Sequence, residues 1–189
     1  MEEINNVIKE GIYKKINQLE NMKNLSIINY REILIKNIHN YSISDFTKDF
    51  DGIRENIIYQ INSDKLTISC KDIKNKFDEL KTKYKKDGEK YCISKINEKN
   101  WNNKLSNYCL YIGSSNDIIT RFKQHLGLNL VSRSTYSLYL IDWWPENIEL
   151  QFKIFGFGRN IEQNSLQIIE DILWEEYKPL LGKKGANNK

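Results

Sequence analysis

The sequence predicts an α+β fold, a small three-stranded antiparallel sheet flanked by helices and preceded by an α-helical N-terminal region. Three observations predict it. Apolar residues recur at helical spacing through about the first 85 residues. From Lys90 onward the pattern becomes short runs that alternate or cluster as strands do. The chain then returns to one long amphipathic helical segment after a third such run.

In the first region Ile4, Ile8, Ile12 and Ile16 recur every four residues, with Val7 and Leu19 beside them. A second apolar series is Ile27, Ile28, Leu34, Ile35 and Ile38, and a third is Ile53, Ile57, Ile58 and Ile61, after the turn signal Asp51-Gly52. A fourth series, Ile73, Phe77, Leu80 and Tyr84, runs into lysines and then Asp87-Gly88, a turn pair that marks a boundary. The expected division is therefore a helical region over 1–86 and a second unit over 87–189. For the helical region three roles are open: supporting or covering the sheet, binding DNA, or forming a homodimer.

In the second unit, 91–96 alternates and reads as a strand, 97–107 as a loop, and 108–112 as a second strand. Two nearby strands joined by a loop favour an antiparallel pair over a doubly wound sheet. Ser114-Ser115-Asn116 offers capping oxygens for a helix from about Asp117 to Leu126, and Gly127 stops it. A short helix over 135–144 is closed by Pro145. Leu150, Phe152 and Ile154 alternate with Gln151 and Lys153 as a third strand, and 161–178 reads as a helix ended by Pro179 and Gly182.

Composition narrows the class. The 189 residues are 40% hydrophobic and 29% charged, a globular balance. No apolar run approaches the ~18 residues of a membrane span, and Met1-Glu2-Glu3 lacks the basic, apolar start of a secretory signal. The expectation is a soluble, cytoplasmic protein with no membrane partner. Cys70, Cys92 and Cys109 form no CxxC pair, which argues against a disulfide framework or a thiolate zinc site. A net charge of +4 with interspersed signs permits a nucleic-acid partner without requiring one.

Chemistry concentrates in the second unit. Tyr111 and Gly113 share one face of their strand. A tyrosine among core residues is ordinarily a packing residue with a satisfied hydroxyl. Arg121 and His125 are four residues apart on one helical face, and Asp117 stands four residues before Arg121, so a surface ion pair is available there. Glu170 is more informative. Leu166, Glu170, Leu173 and Tyr177 form one helical series, which puts a carboxylate in or beside an apolar stripe. A charge there is costly unless paired, metal-bound or at the stripe's open edge. Asp171, Glu175 and Glu176 fit the solvated flanks.

With "YCISKI", "LYIGSSNDIITRFKQHLG" and "IIEDILWEEYKPLLGKKG" in this order, residues from about Lys90 to Gly185 resemble the GIY-YIG nuclease superfamily. The tripeptide Tyr111-Ile112-Gly113 is weak alone, and the ordered set with Arg121, His125, Glu170 and Lys178-Pro179 is far more specific. The literal Gly11-Ile12-Tyr13 sits in a helical pattern remote from Tyr111, and the family keeps its two motifs on adjoining strands. The resemblance therefore assigns the first motif to Tyr91, where Glu89-Lys90-Tyr91 replaces Gly-Ile-Tyr. An asparagine that many members carry just after Lys-Pro has no counterpart here, since Leu180-Leu181-Gly182 follow and Asn187 and Asn188 stand only at the tail.

The resemblance implies an endonuclease that hydrolyses DNA phosphodiesters, restriction-like or defence-related in setting. Glu170 would hold Mg²⁺ or Mn²⁺, Arg121 would contact the scissile phosphate, and Tyr91 or Tyr111 would position the attacking water, with His125 either adding to the field of Arg121 when protonated or relaying the proton. Lys178, Lys183 and Lys184 are available for backbone phosphates. The rival expectation is a non-catalytic nucleic-acid-binding module on a degenerate nuclease fold.

Overall fold

The computed structural model of the chain describes residues 2–50, 56–83, 92–102, 108–128, 136–158 and 161–185. Seven α-helices and four strands are present among them. They follow in the order α1 (Glu2–Met22), β1 (Ile27–Ile35), α2 (Ile43–Asp49), β2 (Ile57–Ser63), α3 (Cys70–Lys83), α4 (Glu98–Asn102), β3 (Tyr108–Ser115), α5 (Ile118–Leu126), α6 (Leu140–Trp143), β4 (Leu150–Phe157) and α7 (Gln163–Tyr177). The four strands form one sheet in the order β1-β4-β2-β3, antiparallel throughout.

The mixed α+β class is as expected, but the sheet has four strands rather than three, and two of them come from the region expected to be helical. Ile57, Ile58 and Ile61 fit a helical spacing, yet they lie on β2, where every residue but Asn62 is buried. A strand covered on both faces shows a continuous apolar run with no alternation, so periodicity alone cannot separate it from a helix. In β1 the buried Ile33 and Ile35 flank the exposed Leu34, the alternation of a strand with one covered face. The sheet therefore joins strands from both sides of the 86/87 position.

The segment 92–96, expected as a strand, makes only two isolated bridges, Ile93 with Ser137 and Ile96 with Leu181. The partner of β3 is β2. Along the outer side of β3 runs 180–182, where Leu180 and Leu181 donate backbone bonds to the carbonyls of Cys109 and Leu110. Asn97 and Asn100 fix that segment by donating to the Pro179 carbonyl at 2.9 and 3.0 Å.

α5 lies where expected, with its cap at Asp117 rather than in Ser114-Ser115-Asn116, while the short helix expected over 135–144 spans only Leu140–Trp143 among the described residues. Asp117 caps α5 by accepting from the Thr120 N–H at 3.0 Å, and Gly127 closes it in the left-handed region (φ 92°). One face of the sheet, with Tyr59, Ile61, Phe152 and Ile154, packs against Ile73 and Phe77 of α3 and Phe122 and Leu126 of α5. The other face, with Ile58, Cys109, Ile112 and Phe157, packs against Leu166 and the half-buried Ile169 and Leu173 of α7. No described helix is long and apolar enough to cross a membrane.

Candidate active site

Pairing β2 with β3 sets Tyr59 opposite Gly113 and Ile61 opposite Tyr111, so Tyr59 and Tyr111 project from one face as neighbours. Their rings stack with centroids 5.9 Å apart. Gly113 permits this closeness, because a Cβ there would stand 2.7 Å from Tyr111 Cε1 and 2.8 Å from the Tyr59 hydroxyl.

α5 lies over the same face. Its apolar residues Ile118, Phe122 and Leu126 enter the core, and this turns Arg121 and His125 inward to the tyrosines. Arg121 is only 8% exposed. Its Nε donates to the Tyr59 hydroxyl at 2.9 Å, Nη2 to the Tyr111 hydroxyl at 3.1 Å and to the Tyr136 carbonyl, and Nη1 to Gln124 Oε1 at 2.9 Å. The surface ion pair that the spacing makes available to Asp117 is not formed, and Asp117 caps the helix instead. Every partner of this guanidinium is neutral, and among the described residues it makes no ion pair. Neutral acceptors that satisfy the hydrogen bonds of a buried cation leave its charge uncompensated.

His125 is fully buried, with Nε2 2.7 Å from the Tyr59 hydroxyl and its ring 4.7 Å from that of Tyr111. Burial, with Arg121 nearby, holds its pKa well below the ordinary imidazole value, so it is neutral. The Tyr59 oxygen accepts from Arg121 and shares a hydrogen bond with His125 Nε2, while His125 Nδ1 is buried without a partner. Tyr59 itself is a firmly protonated phenol, because burial raises its pKa well above the usual value despite the lowering field of Arg121.

Glu170 reaches the site from α7 on the other side of β3. Ser114, next to Gly113, stands beside its carboxylate, and its hydroxyl and backbone N–H favour the charged form. The residue is 4% exposed, and Oε2 is buried with no partner. Burial raises its pKa, against the lowering influence of Ser114 and Arg121. A buried carboxylate with one oxygen unsatisfied fits a cation ligand, and a bound cation would restore its charged form. No cluster of three metal-ligating side chains exists among the described residues.

Three of the residues singled out in the sequence, Tyr111, Arg121 and His125, thus meet on one face of the sheet, and Glu170 lies on the α7 side of β3 within the electrostatic reach of Arg121. Tyr91 lies outside the described residues. The tyrosine that occupies the strand beside β3 is Tyr59, which helical periodicity concealed. Its signal was the β-branched run Ile57-Ile58-Tyr59-Gln60-Ile61 between the turn residues Asp51-Gly52 and Ser63-Asp64. Ser114 and Gln124 were also missed, being polar residues whose roles depend on their neighbours. No known protein family, curated protein or solved structure matches the chain.

Proposed function

We propose that the chain is a metal-dependent endonuclease that hydrolyses phosphodiester bonds in DNA. The observation that carries this reading is the buried Arg121, cationic and without a carboxylate partner, set between two tyrosine hydroxyls and within the field of the half-satisfied Glu170. A site with an uncompensated positive charge attracts an anion, and a guanidinium matches the oxygens of a phosphate. In the GIY-YIG resemblance the first-motif tyrosine then passes from Tyr91 to Tyr59, on the strand adjoining Tyr111-Ile112-Gly113.

Hydrolysis forms a bond from a water oxygen to phosphorus, breaks the ester P–O bond, and returns a proton to the leaving oxygen. Arg121 stabilises the charge that gathers on the phosphoryl oxygens. Tyr59 and His125 hold Arg121 in place through the Tyr59 hydroxyl. Tyr111, the less buried tyrosine, presents its hydroxyl to the attacking water. Glu170 holds Mg²⁺ or Mn²⁺, which supplies neutralisation of the phosphate charge when bound.

Supercoiled plasmid incubated with Mg²⁺ is expected to become nicked or linear, and Glu170→Gln is expected to abolish this while the protein melts at the same or a higher temperature. Equal cleavage by a cleanly purified Glu170→Gln protein rejects the reading. The raised pKa of Tyr59 and the neutrality of His125 favour a second reading, a nucleic-acid-binding module without cleavage. Salt-sensitive DNA retention with no Mg²⁺-dependent nicking would select it.

A further inference from the structure

α1 is anchored to the body only along one side. Gln18 donates to Glu162 Oε2 and Ser165 Oγ at the start of α7, at 3.3 and 3.4 Å. The apolar stripe of the helix faces elsewhere. Ile8 and Ile12 are 53% and 54% exposed, and Ile16 and Leu19 are each 44% exposed. Four large aliphatic side chains in one line on a 21-residue helix form a contiguous apolar surface of the kind that marks an interaction site.

Charge selects the occupant. At 100° per residue, Lys9 and Glu20 flank the stripe on the same side, about 60° and 80° from Ile12. The stripe is centred near residue 14, so it meets itself when two copies pack antiparallel. Ile8 then lies opposite Leu19, and Ile12 opposite Ile16. Lys9 lies opposite Glu20 at both ends, because the two-fold relation makes each contact occur twice. Parallel packing would instead set the flank that carries Lys9 and Glu20 against the opposite flank of the partner, so these two residues would not pair, and it would align rather than oppose the two helix dipoles.

We infer that α1 is a self-association surface, and that it docks antiparallel on α1 of a second copy of this chain. The surface stands apart from the Glu170 site, so the inference does not depend on the nuclease reading, and its test involves no cleavage.

Sedimentation of the full chain over a wide concentration range at low salt is expected to show reversible dimerisation, from 22.5 kDa to twice that mass. Ile12→Asp, which puts a charge in the apolar seam, is expected to raise the dimer dissociation constant by about a hundredfold. Lys9→Glu and Glu20→Lys each replace two attractive contacts with repulsive ones and are expected to weaken the dimer by about tenfold. The double variant Lys9→Glu/Glu20→Lys is expected to recover wild-type affinity with the apolar stripe untouched. That recovery belongs to antiparallel packing alone. A wild-type chain that stays monomeric throughout overturns the proposal, including one that instead binds anionic lipid vesicles through α1. A dimer that survives Ile12→Asp, or that is indifferent to the charge exchange, overturns it equally.

Discussion

Tyr59 has one hydroxyl and two demanding neighbours, and its replacement separates their contributions. Tyr59→Phe leaves Arg121 Nε and His125 Nε2 without their partner, which is expected to cost about 1–3 kcal/mol of stability. Cleavage is expected to fall about tenfold, through loss of Arg121 positioning, whereas Tyr111→Phe is expected to lower it about a hundredfold. Plasmid nicking rates of Tyr59→Phe, Tyr111→Phe and Tyr91→Phe decide which tyrosines form the site, and a larger loss in Tyr91→Phe than in Tyr59→Phe would return the first motif to Tyr91. His125 and Glu170 predict opposite pH effects. His125 has a folded pKa well below 6.5, so the unfolded chain binds its proton first, and stability is lost as pH falls from about 6.5 toward the folded value. Glu170 has a raised folded pKa, so its contribution is full below the unfolded value near 4.5 and is lost as pH rises through the folded value. Melting curves against pH, compared with those of His125→Gln and Glu170→Gln, are expected to show the first slope vanish in one variant and the second in the other. Added Mg²⁺ is expected to reverse the Glu170 slope in the wild type, since the ion favours the carboxylate.

β3 is the element on which the site depends most, and Gly113 is its tightest point. Gly113→Ala brings a methyl group to within 3 Å of both tyrosines, and the resulting shift is expected to destabilise the fold by about 1–3 kcal/mol and to impair cleavage beyond that loss. Thermal melting and nicking rate measured together check both parts. The elements differ in how far the sequence disclosed them. α5 and α7 carry their own punctuation in Gly127 and Pro179, and they end beside it, while β4 shows its alternation at Leu150, Phe152 and Ile154. Glu170 could be picked out because a charge within an apolar stripe contradicts its own local pattern. β2 could not, because burial on both faces erases alternation, and its three isoleucines then imitate a helix turn. The segment 92–96 shows the converse, since it is expected as a strand but makes only isolated bridges, to Ser137 and Leu181. Arg121 was legible as a residue on the right helix face, while its four neutral acceptors come from β2, β3, α5 itself and the Tyr136 carbonyl, and only the assembled fold brings these together.

For the whole molecule, sheet order decides what can be removed. β4 is bonded to β1 and β2, and β3 to β2 alone, so β3 and β4 never touch along their edges. A fragment of residues 87–189 retains two strands that have no strand partner in each other. It is expected to show no cooperative melting by circular dichroism, and a sharp transition in that fragment would contradict the sheet described above. The same order has a consequence in time. β4 is the penultimate element, yet it inserts between β1 and β2, and its pairing with β1 joins residues separated by more than half the chain, from Ile27 with Phe157 to Ile35 with Leu150. Contacts at such separation require large loops to close before they return any energy, and they slow folding. A ribosome emitting this chain would therefore hold β1 and the β4-facing edge of β2 unsheltered until β4 emerged, and the span between them would be the period of greatest need for a chaperone.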